Sequence, residues 1–481
     1  MKPSIAVIGT GFGGLAAVIE LKKLGFDDIV VFEKADEVGG VWRENTYPGA
    51  ACDVPSPFYS YSFEPNPRWP HRFSRQPAIL DYIRDVAEKY DVRRHIRFGT
   101  EVTGAAFDDE TGRWKVELVG GETVVVDVLV SAVGQLSRPA LPAIEGRDSF
   151  AGTSFHSAEW DHDVDLTGKR VAVIGTGASA IQFVPEIQPL AGRLTVFQRS
   201  APYIIPRPDR EFGPRHHRVF EKLPVTELAE RGTWYGVVEG LSLAWVYAKP
   251  LAAAIRAISR WHMRRQTAAV PGLFEKVWPD YPIGCKRILF SDSYLPALAQ
   301  PNVDVVTDRI AAITPTGVRT ADGVDHEVDV IIWGTGFTTT EFLAPMTITG
   351  AQGHPLEQEW RDGAHAYYGI TVPRFPNLCI MYGPNTNTGG GSIIYFLEAQ
   401  AKYLGRYVAH LAATGKPLTV RPEVEQAYDD RIQAELGDSV WSKCSSWYRQ
   451  ADGRITTNWP LLGIQYKQQA TFDPADYEVM A

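Results

Sequence analysis

An α/β fold made of two Rossmann-like dinucleotide-binding units, with a helical insert in the second, is predicted by three observations. Two apolar runs, IAVIG from Ile5 and VAVIG from Val171, each lead straight into a glycine turn and a helix. Each helix is followed by a second β-rich run, IVVF ending at Phe32 and LTVF ending at Phe197. A long helical stretch then separates Arg199 from the next apolar strand, which starts near Asp329. The chain of 481 residues, 44% of them hydrophobic and 22% charged, is long enough to bury more than one large core.

Composition narrows the function classes. A net charge of −9 offers no basic footprint, which argues against nucleic acid as a partner. The most apolar later stretch, GLSLAWVYA, is bracketed by Glu239 and Lys249 and is too short to span a bilayer. The apolar run at Ile5 enters a glycine turn, so no secretory leader is expected and a cytoplasmic location is. Cys52, Cys285, Cys379 and Cys444 lie far apart without a CxxC spacing, which predicts reduced thiols and no redox dithiol. No His/Asp/Glu cluster has metal-ligand spacing, so no metal is expected.

In the first unit Gly9, Gly11 and Gly14 form a GxGxxG pattern between the strand Ile5–Ile8 and a helix. Gly9 permits the tight turn, Gly11 lets the backbone approach a pyrophosphate, and Gly14 lets the helix pack on the strand. Free N–H groups at the helix start favour the phosphate charge. The second strand ends at Glu33, about 20 residues on, where a carboxylate accepts ribose hydroxyls. Strand, turn, helix and acid together predict a dinucleotide site, read as that of FAD.

The pattern recurs with Gly175 and Gly177 in the first two positions and Ala180 in the third, which tolerates a methyl. Here the second strand ends in Gln198–Arg199 instead of an acid. Losing the carboxylate removes a charge that repels a 2′-phosphate, and the planar guanidinium of Arg199 grips one. The second site is therefore read as NADPH and not NADH. Lys34 also follows Glu33, so the missing acid discriminates better than the added base.

Val128–Gln135 and Asp329–Phe337 read as buried strands closing the first and second units. Within the insert, Leu251, Ile255, Ile258 and His262 share one helical face, with Arg256, Arg260 and Arg264 turned away, a pattern read as core packing. A last helix is predicted from about Ser392 to Thr414, stopped by Gly415. Its start, after Gly389–Gly391, is placed to stabilise negative charge on a reduced flavin. The expected organisation is 1–142 as the first part of the FAD unit and 143–205 as linker and first part of the NADPH unit. The insert follows at 206–285, then the second part of the NADPH unit at 286–340 and the C-terminal part of the FAD unit at 341–481.

Two further motifs carry a resemblance. GGVWRENTYPGAACD (Gly39–Asp53) and FAGTSFHSAEWD (Phe150–Asp161) are similar to the long and short fingerprints of the type I Baeyer–Villiger monooxygenases. Phe150, Gly152, His156, Trp160 and Asp161 all fit the short one, and Trp160 sits where related flavin-containing monooxygenases usually have Tyr. With both glycine patterns, the resemblance covers nearly the whole chain. It implies that the short motif joins and couples the two units. Phe150 and Trp160 are expected as aromatic anchors, Gly152 as an unusual backbone angle, and His156 as a bridge between backbone groups and not a proton carrier.

The same resemblance implies the chemistry. NADPH reduces FAD, O₂ adds to form a C4a-peroxyflavin, and a ketone becomes an ester or lactone. Arg287, in GCKRILFSD, matches the family's catalytic arginine, and Asp53 is the carboxylate that positions it. Taken alone, Lys286–Arg287 reads as a solvated pair; the resemblance makes Lys286 a contact to NADPH. Trp447 in SSWYRQ is expected to touch bound NADP with Tyr448 beside it, while Trp42, Tyr47 and Tyr59 are expected along the flavin. Trp459 reads as packing, and Trp333–Gly334 stand where an alanine commonly precedes Thr335. The partners implied are a small-molecule ketone and O₂. Oxygenation of sulfur or nitrogen, and a redox-sensing flavoprotein, are the alternatives.

Overall fold

Val/Ile-rich runs of four or five residues form the sheets, and most are buried on both faces, as parallel strands under helices must be. The computed structural model describes residues 2–246, 249–443, 448–450 and 452–480. Along the chain β1 (Ile5–Ile8), α1 (Phe12–Lys23), β2 (Ile29–Phe32), β3 (Ile96–Arg97) and β4 (Val128–Ser131) belong to the first unit. The second unit holds β5 (Thr153–His156), β6 (Arg170–Ile174), α2 (Ala180–Ile187), β7 (Arg193–Phe197), β8 (Val303–Val306) and β9 (Val330–Trp333). The chain then returns to the first unit with β10 (Leu378–Ile380).

The first sheet has the order β10-β4-β1-β2-β3 and the second β8-β7-β6-β9-β5, every pairing parallel. The Val128 strand lies inside its sheet, with β10 pairing outside it through Leu378 and Leu129. One expectation changes. Thr153–His156, read as linker, is itself an edge strand of the second sheet, with His156 in register with Trp333.

The insert consists of α3 (Pro214–Lys222), α4 (Pro224–Val246) and α5 (Lys249–Thr267), followed by a short helix at Leu273–Val277. Ile204–Ile205 and Leu289–Phe290 pair in parallel at its base. On α5 Ile255 and His262 are buried, but Leu251 and Ile258 are 38% and 49% exposed, so the face expected to pack in the core is split. The helix expected to be the last, α6 (Ile393–Thr414), ends at Gly415 in the left-handed region and lies against α1, with Leu397 beside Gly13, but a further 17-residue helix follows at Pro422–Asp438.

Cys52 and Cys379 are free and buried, but Cys285 is disulfide-bonded, which corrects the expectation of reduced thiols there. Sequence spacing does not report proximity: the fold brings Cys285 Sγ to 3.2 Å from the Val440 carbonyl. Cys444 lies outside the described residues.

Candidate active site

Each nucleotide turn has a physical reason for its glycines. Gly9 has φ +99°, and a Cβ there would meet the Ala132 carbonyl oxygen at 2.8 Å. A Cβ on Gly14 would lie 2.0 Å from the Gly9 carbonyl oxygen, so only glycine lets α1 sit this close to β1. Gly11 caps α1 without a side-chain bond and has open space, its nearest neighbour at 3.7 Å being Gly40 of the long motif. Gly175 repeats the first position with φ +114°, packed on Gly334, and nothing approaches Gly177 within 4 Å. Ala180 opens α2 fully buried.

Glu33 is buried at the end of β2. Its Oε2 accepts from the Thr10 N–H at 3.0 Å and hydroxyl at 2.6 Å, and its Oε1 from the Ala35 N–H at 2.9 Å. The carboxylate is thus fixed in place, with accepting capacity left mainly on Oε1 for a ribose hydroxyl. Trp42 donates its indole N–H to the Tyr59 hydroxyl at 3.0 Å, and Tyr59 packs edge-on against Phe12, the first residue of α1. Both rings therefore stand over the start of that helix.

Tyr47 departs from the expectation that it lies along the flavin. Its ring belongs to the core of the second unit, edge-on to Phe183, and its hydroxyl donates to Gln182 Oε1 at 2.9 Å. Burial, against a hydrogen bond from Ser179, pushes this hydroxyl up to about 12, so it stays a donor. Gln182 also accepts from the Ala51 N–H at 3.2 Å and donates to the Ala51 carbonyl at 2.9 Å. Gly49, with φ +78°, rides on the Gln182 carbonyl, where a Cβ would come within 2.7 Å. The second half of the long motif is therefore a clamp on α2, and Gln182 is its other jaw. Sequence reasoning missed Gln182; the available signal was one polar residue inside the apolar helix AIQFV.

At the end of that clamp, Asp53 meets Arg287. Nε donates to Oδ2 and Nη2 to Oδ1, both at 2.7 Å, a planar bidentate pair. Burial alone would push the Asp53 carboxyl up; the charge and hydrogen bonds of Arg287, helped by Arg207, outweigh it and hold the carboxyl below its ordinary value. Burial likewise opposes the guanidinium charge, and Asp53 more than restores it. The two side chains keep 28% and 23% of their surface, so one side of the pair is left open. Tyr448 is buried beside it. Its hydroxyl is pushed up to about 12 by burial, with the charge and backbone N–H of Arg287 opposing. Trp447 lies outside the described residues.

On the second unit Arg199 is exposed, and Lys286 is bonded to Ser200 Oγ at 2.9 Å with its ammonium 4.7 Å from the Tyr281 ring centroid. Burial and then the Arg199 charge lower the Lys286 pKa. Among the described residues no carboxylate is bonded to either cation, an arrangement that suits a dianion. Gln198 turns inward and donates to the Lys276 carbonyl at 2.7 Å, while its Oε1 is buried without a partner.

The short motif packs into the second unit. Gly152 is required by space and not by an unusual angle, because a Cβ would lie 2.6 Å from both the Asp329 carbonyl oxygen and the Phe150 ring. Phe150 is half-buried against Ile313 and Val318, and Trp160 packs at 5.3 Å on Phe183. His156 Nδ1 accepts from the Ala158 N–H at 3.1 Å, and its ring meets Phe337 edge-on. Burial lowers its pKa, so the ring is neutral at pH 7. The Trp333 substitution also gains an account: its indole donates to Ser154 Oγ at 2.6 Å, stitching β9 to β5.

The residues present fit both cofactors: an uncovered glycine turn and fixed acid on one unit, an open turn and paired cations on the other. Two dinucleotide cradles with a guanidinium–carboxylate pair at their seam define a flavin- and nicotinamide-dependent oxidoreductase. The family described as flavin-binding monooxygenase-like matches residues 2–222. A Baeyer–Villiger monooxygenase of Streptomyces coelicolor is 44% identical over 99% of this chain and 92% of its own. A steroid monooxygenase structure bound to NADP superposes with TM-score 0.88 at 30% identity, and OTEMO in complex with FAD and NADP with 0.88 at 27%, each covering 100% of both chains. The chain belongs to the Baeyer–Villiger monooxygenases.

Proposed function

We propose that the enzyme converts an apolar ketone into its ester or lactone, consuming NADPH, a proton and O₂ and releasing NADP⁺ and water. FAD, when bound, takes the hydride of NADPH and activates O₂ for transfer. The bidentate Asp53–Arg287 pair carries this reading. A guanidinium keeps its charge when buried, where a lysine loses its proton, so Arg287 holds negative charge on oxygen at the attacked carbonyl through the whole reaction. Asp53 fixes the fork and occupies two of its five N–H donors, leaving Nη1 and the open edge for the reacting oxygen. Arg199 and Lys286 receive the 2′-phosphate of NADPH.

A narrow cleft beside Gly389–Gly391 is lined by Phe58, Val238, Phe396, Trp441 and Leu461, with Glu239 and Ser392 as polar members, and is the apolar-walled entry we assign to the ketone. Ser392 Oγ, buried without a partner, lines the same cleft at the start of α6. A cytoplasmic site of action, where NADPH is supplied, completes the reading. The test is the flavin-loaded protein with NADPH, O₂ and cyclic, linear, aryl and steroid ketones, read by mass spectrometry for one added oxygen atom. Ester from at least one ketone is expected. Sulfoxide from a sulfide, with no ester from any ketone, would replace this reading by heteroatom oxygenation.

A further inference from the structure

The helical insert is built with its outward faces the wrong way round for water. Helix α4 has four charged residues, Glu227, Glu230, Arg231 and Glu239, and all are turned inward. Arg231 donates to the Pro57 and Ser60 carbonyls at 2.7 and 2.9 Å, Glu239 accepts from the Gly463 and Ile464 N–H groups, and Glu230 pairs with Arg72. What α4 shows to solvent is Val225 (67% exposed), Leu228 (54%) and Val237 (45%), with Ala229, Gly232, Thr233 and Gly236 between them. A solvated helix has the opposite distribution.

Helix α5 adds the complementary half. Its inner stripe, Ile255, Ser259, His262 and Met263, is buried. Its outer stripe, Leu251, Ala254, Ile258 and Trp261, repeats at i, i+3, i+7 and i+10, and Trp261 is 57% exposed. Beside it run Arg256, Arg260 and Arg264. The segment Lys249–Thr267 carries Lys249, Arg256, Arg260, Arg264 and Arg265 and no acid, in a chain of net charge −9. Among the described residues none of these five cations takes part in an ion pair, although Arg256, Arg264 and Arg265 lie over the Trp278, Phe274 and Trp261 rings. Exposed Trp and aliphatics beside cations that no carboxylate neutralises are the chemistry of a helix lying in the headgroup layer of an anionic bilayer.

We propose that the insert docks the enzyme on an anionic lipid surface, with Ile258 and Trp261 in the acyl boundary and the arginines on the headgroups. No single helix among the described residues is long and apolar enough to cross a membrane; α4 and α5 reach that length and composition only as a pair bent by 108°, and their inward-turned charges and buried inner stripe suit a contact along the surface. The inference is independent of the oxygenation reading.

The test uses the flavin-loaded full chain and sedimentation with vesicles of phosphatidylcholine alone or with about a third phosphatidylserine. Binding to the anionic vesicles and not to the neutral ones is expected, falling severalfold as salt rises from about 0.1 to 0.5 M. Ile258→Ser with Trp261→Ser should lower partition on the order of tenfold. Arg260→Glu, at a residue with no hydrogen bond or ion pair, should lower it about as much. Both variants should keep wild-type flavin content and NADPH oxidation. Equal binding to both vesicle types, or none to either, overturns the proposal. So does a concentration-dependent dimer that Ile258→Ser with Trp261→Ser abolishes in the absence of vesicle binding, which would assign the stripe to a second copy of the chain.

Discussion

Replacing Arg287 by alanine separates the two halves of the reaction. The change removes two hydrogen bonds of 2.7 Å and leaves Asp53 without its partner. Breaking a fully buried pair costs about 3–5 kcal/mol, and residual exposure of 28% and 23% reduces this to about 2–3 kcal/mol. The sign follows from the Asp53 carboxyl, which titrates below its ordinary value when folded. Its stabilisation is present above about pH 4 and fades as pH falls through the folded value, so wild type and variant converge in acid. For catalysis, losing a fixed charge at a developing oxyanion costs about 10²–10³ in rate. Hydride transfer needs no such charge at this position. NADPH consumption, ester and hydrogen peroxide measured on the same sample should show oxidation persisting, ester lost and peroxide rising. Arg287→Lys should recover part of the ester yield and lose it again at high pH, as a buried lysine gives up its proton. Ester formation by Arg287→Ala above about a tenth of wild type would refute the assignment.

Arg199→Gln should raise the KM for NADPH on the order of tenfold while leaving NADH almost unchanged, since one charge-assisted contact is worth about 1.5–3 kcal/mol. Gly177→Ala meets no protein atom, so it should keep the fold and the flavin yet weaken NADPH binding; unchanged binding would place the pyrophosphate elsewhere. Gln182→Ala removes the acceptor of the Tyr47 hydroxyl and the partner of both Ala51 backbone groups, and should lower stability by about 1–3 kcal/mol, read from thermal unfolding. His156 has a folded pKa below its ordinary value, so its contribution is in place above about pH 6.5 and is lost as pH falls below it. Wild type should therefore lose more stability than His156→Asn between about pH 7 and 5.

Strand and glycine patterns were legible because they are local: period, turn and cap all sit within one short stretch, as at Gly9–Gly14 and Gly175–Ala180. The helix to Thr414 was legible for the same reason, its stop written in Gly415, whereas the helix Pro422–Asp438 beyond it was missed. The Asp53–Arg287 pair was reached through motif resemblance and not through spacing, since 234 positions separate its members. What remained illegible depends on partners distant in sequence. Tyr47 looked like a flavin contact until Gln182 supplied a competing hydrogen bond and Phe183 a ring to pack on. Gly152 looked like a turn glycine, but its reason is the Asp329 carbonyl arriving from another strand. Cys285 gave no hint of pairing.

Because Thr153–His156 is an edge strand of the second sheet, the connector has no slack after Gly152. Upstream, Arg138–Ala140 runs beside Thr335–Thr338, and the two crossings are tied by the Ala140 N–H to Gly336 and the Thr335 hydroxyl to Ala140. Anyone building chimaeras from this chain and a relative should splice before Phe150 and after Thr338. A junction placed after Asp161 would leave a foreign strand on the edge of the nicotinamide sheet, and with it a mismatched Trp333–Ser154 stitch.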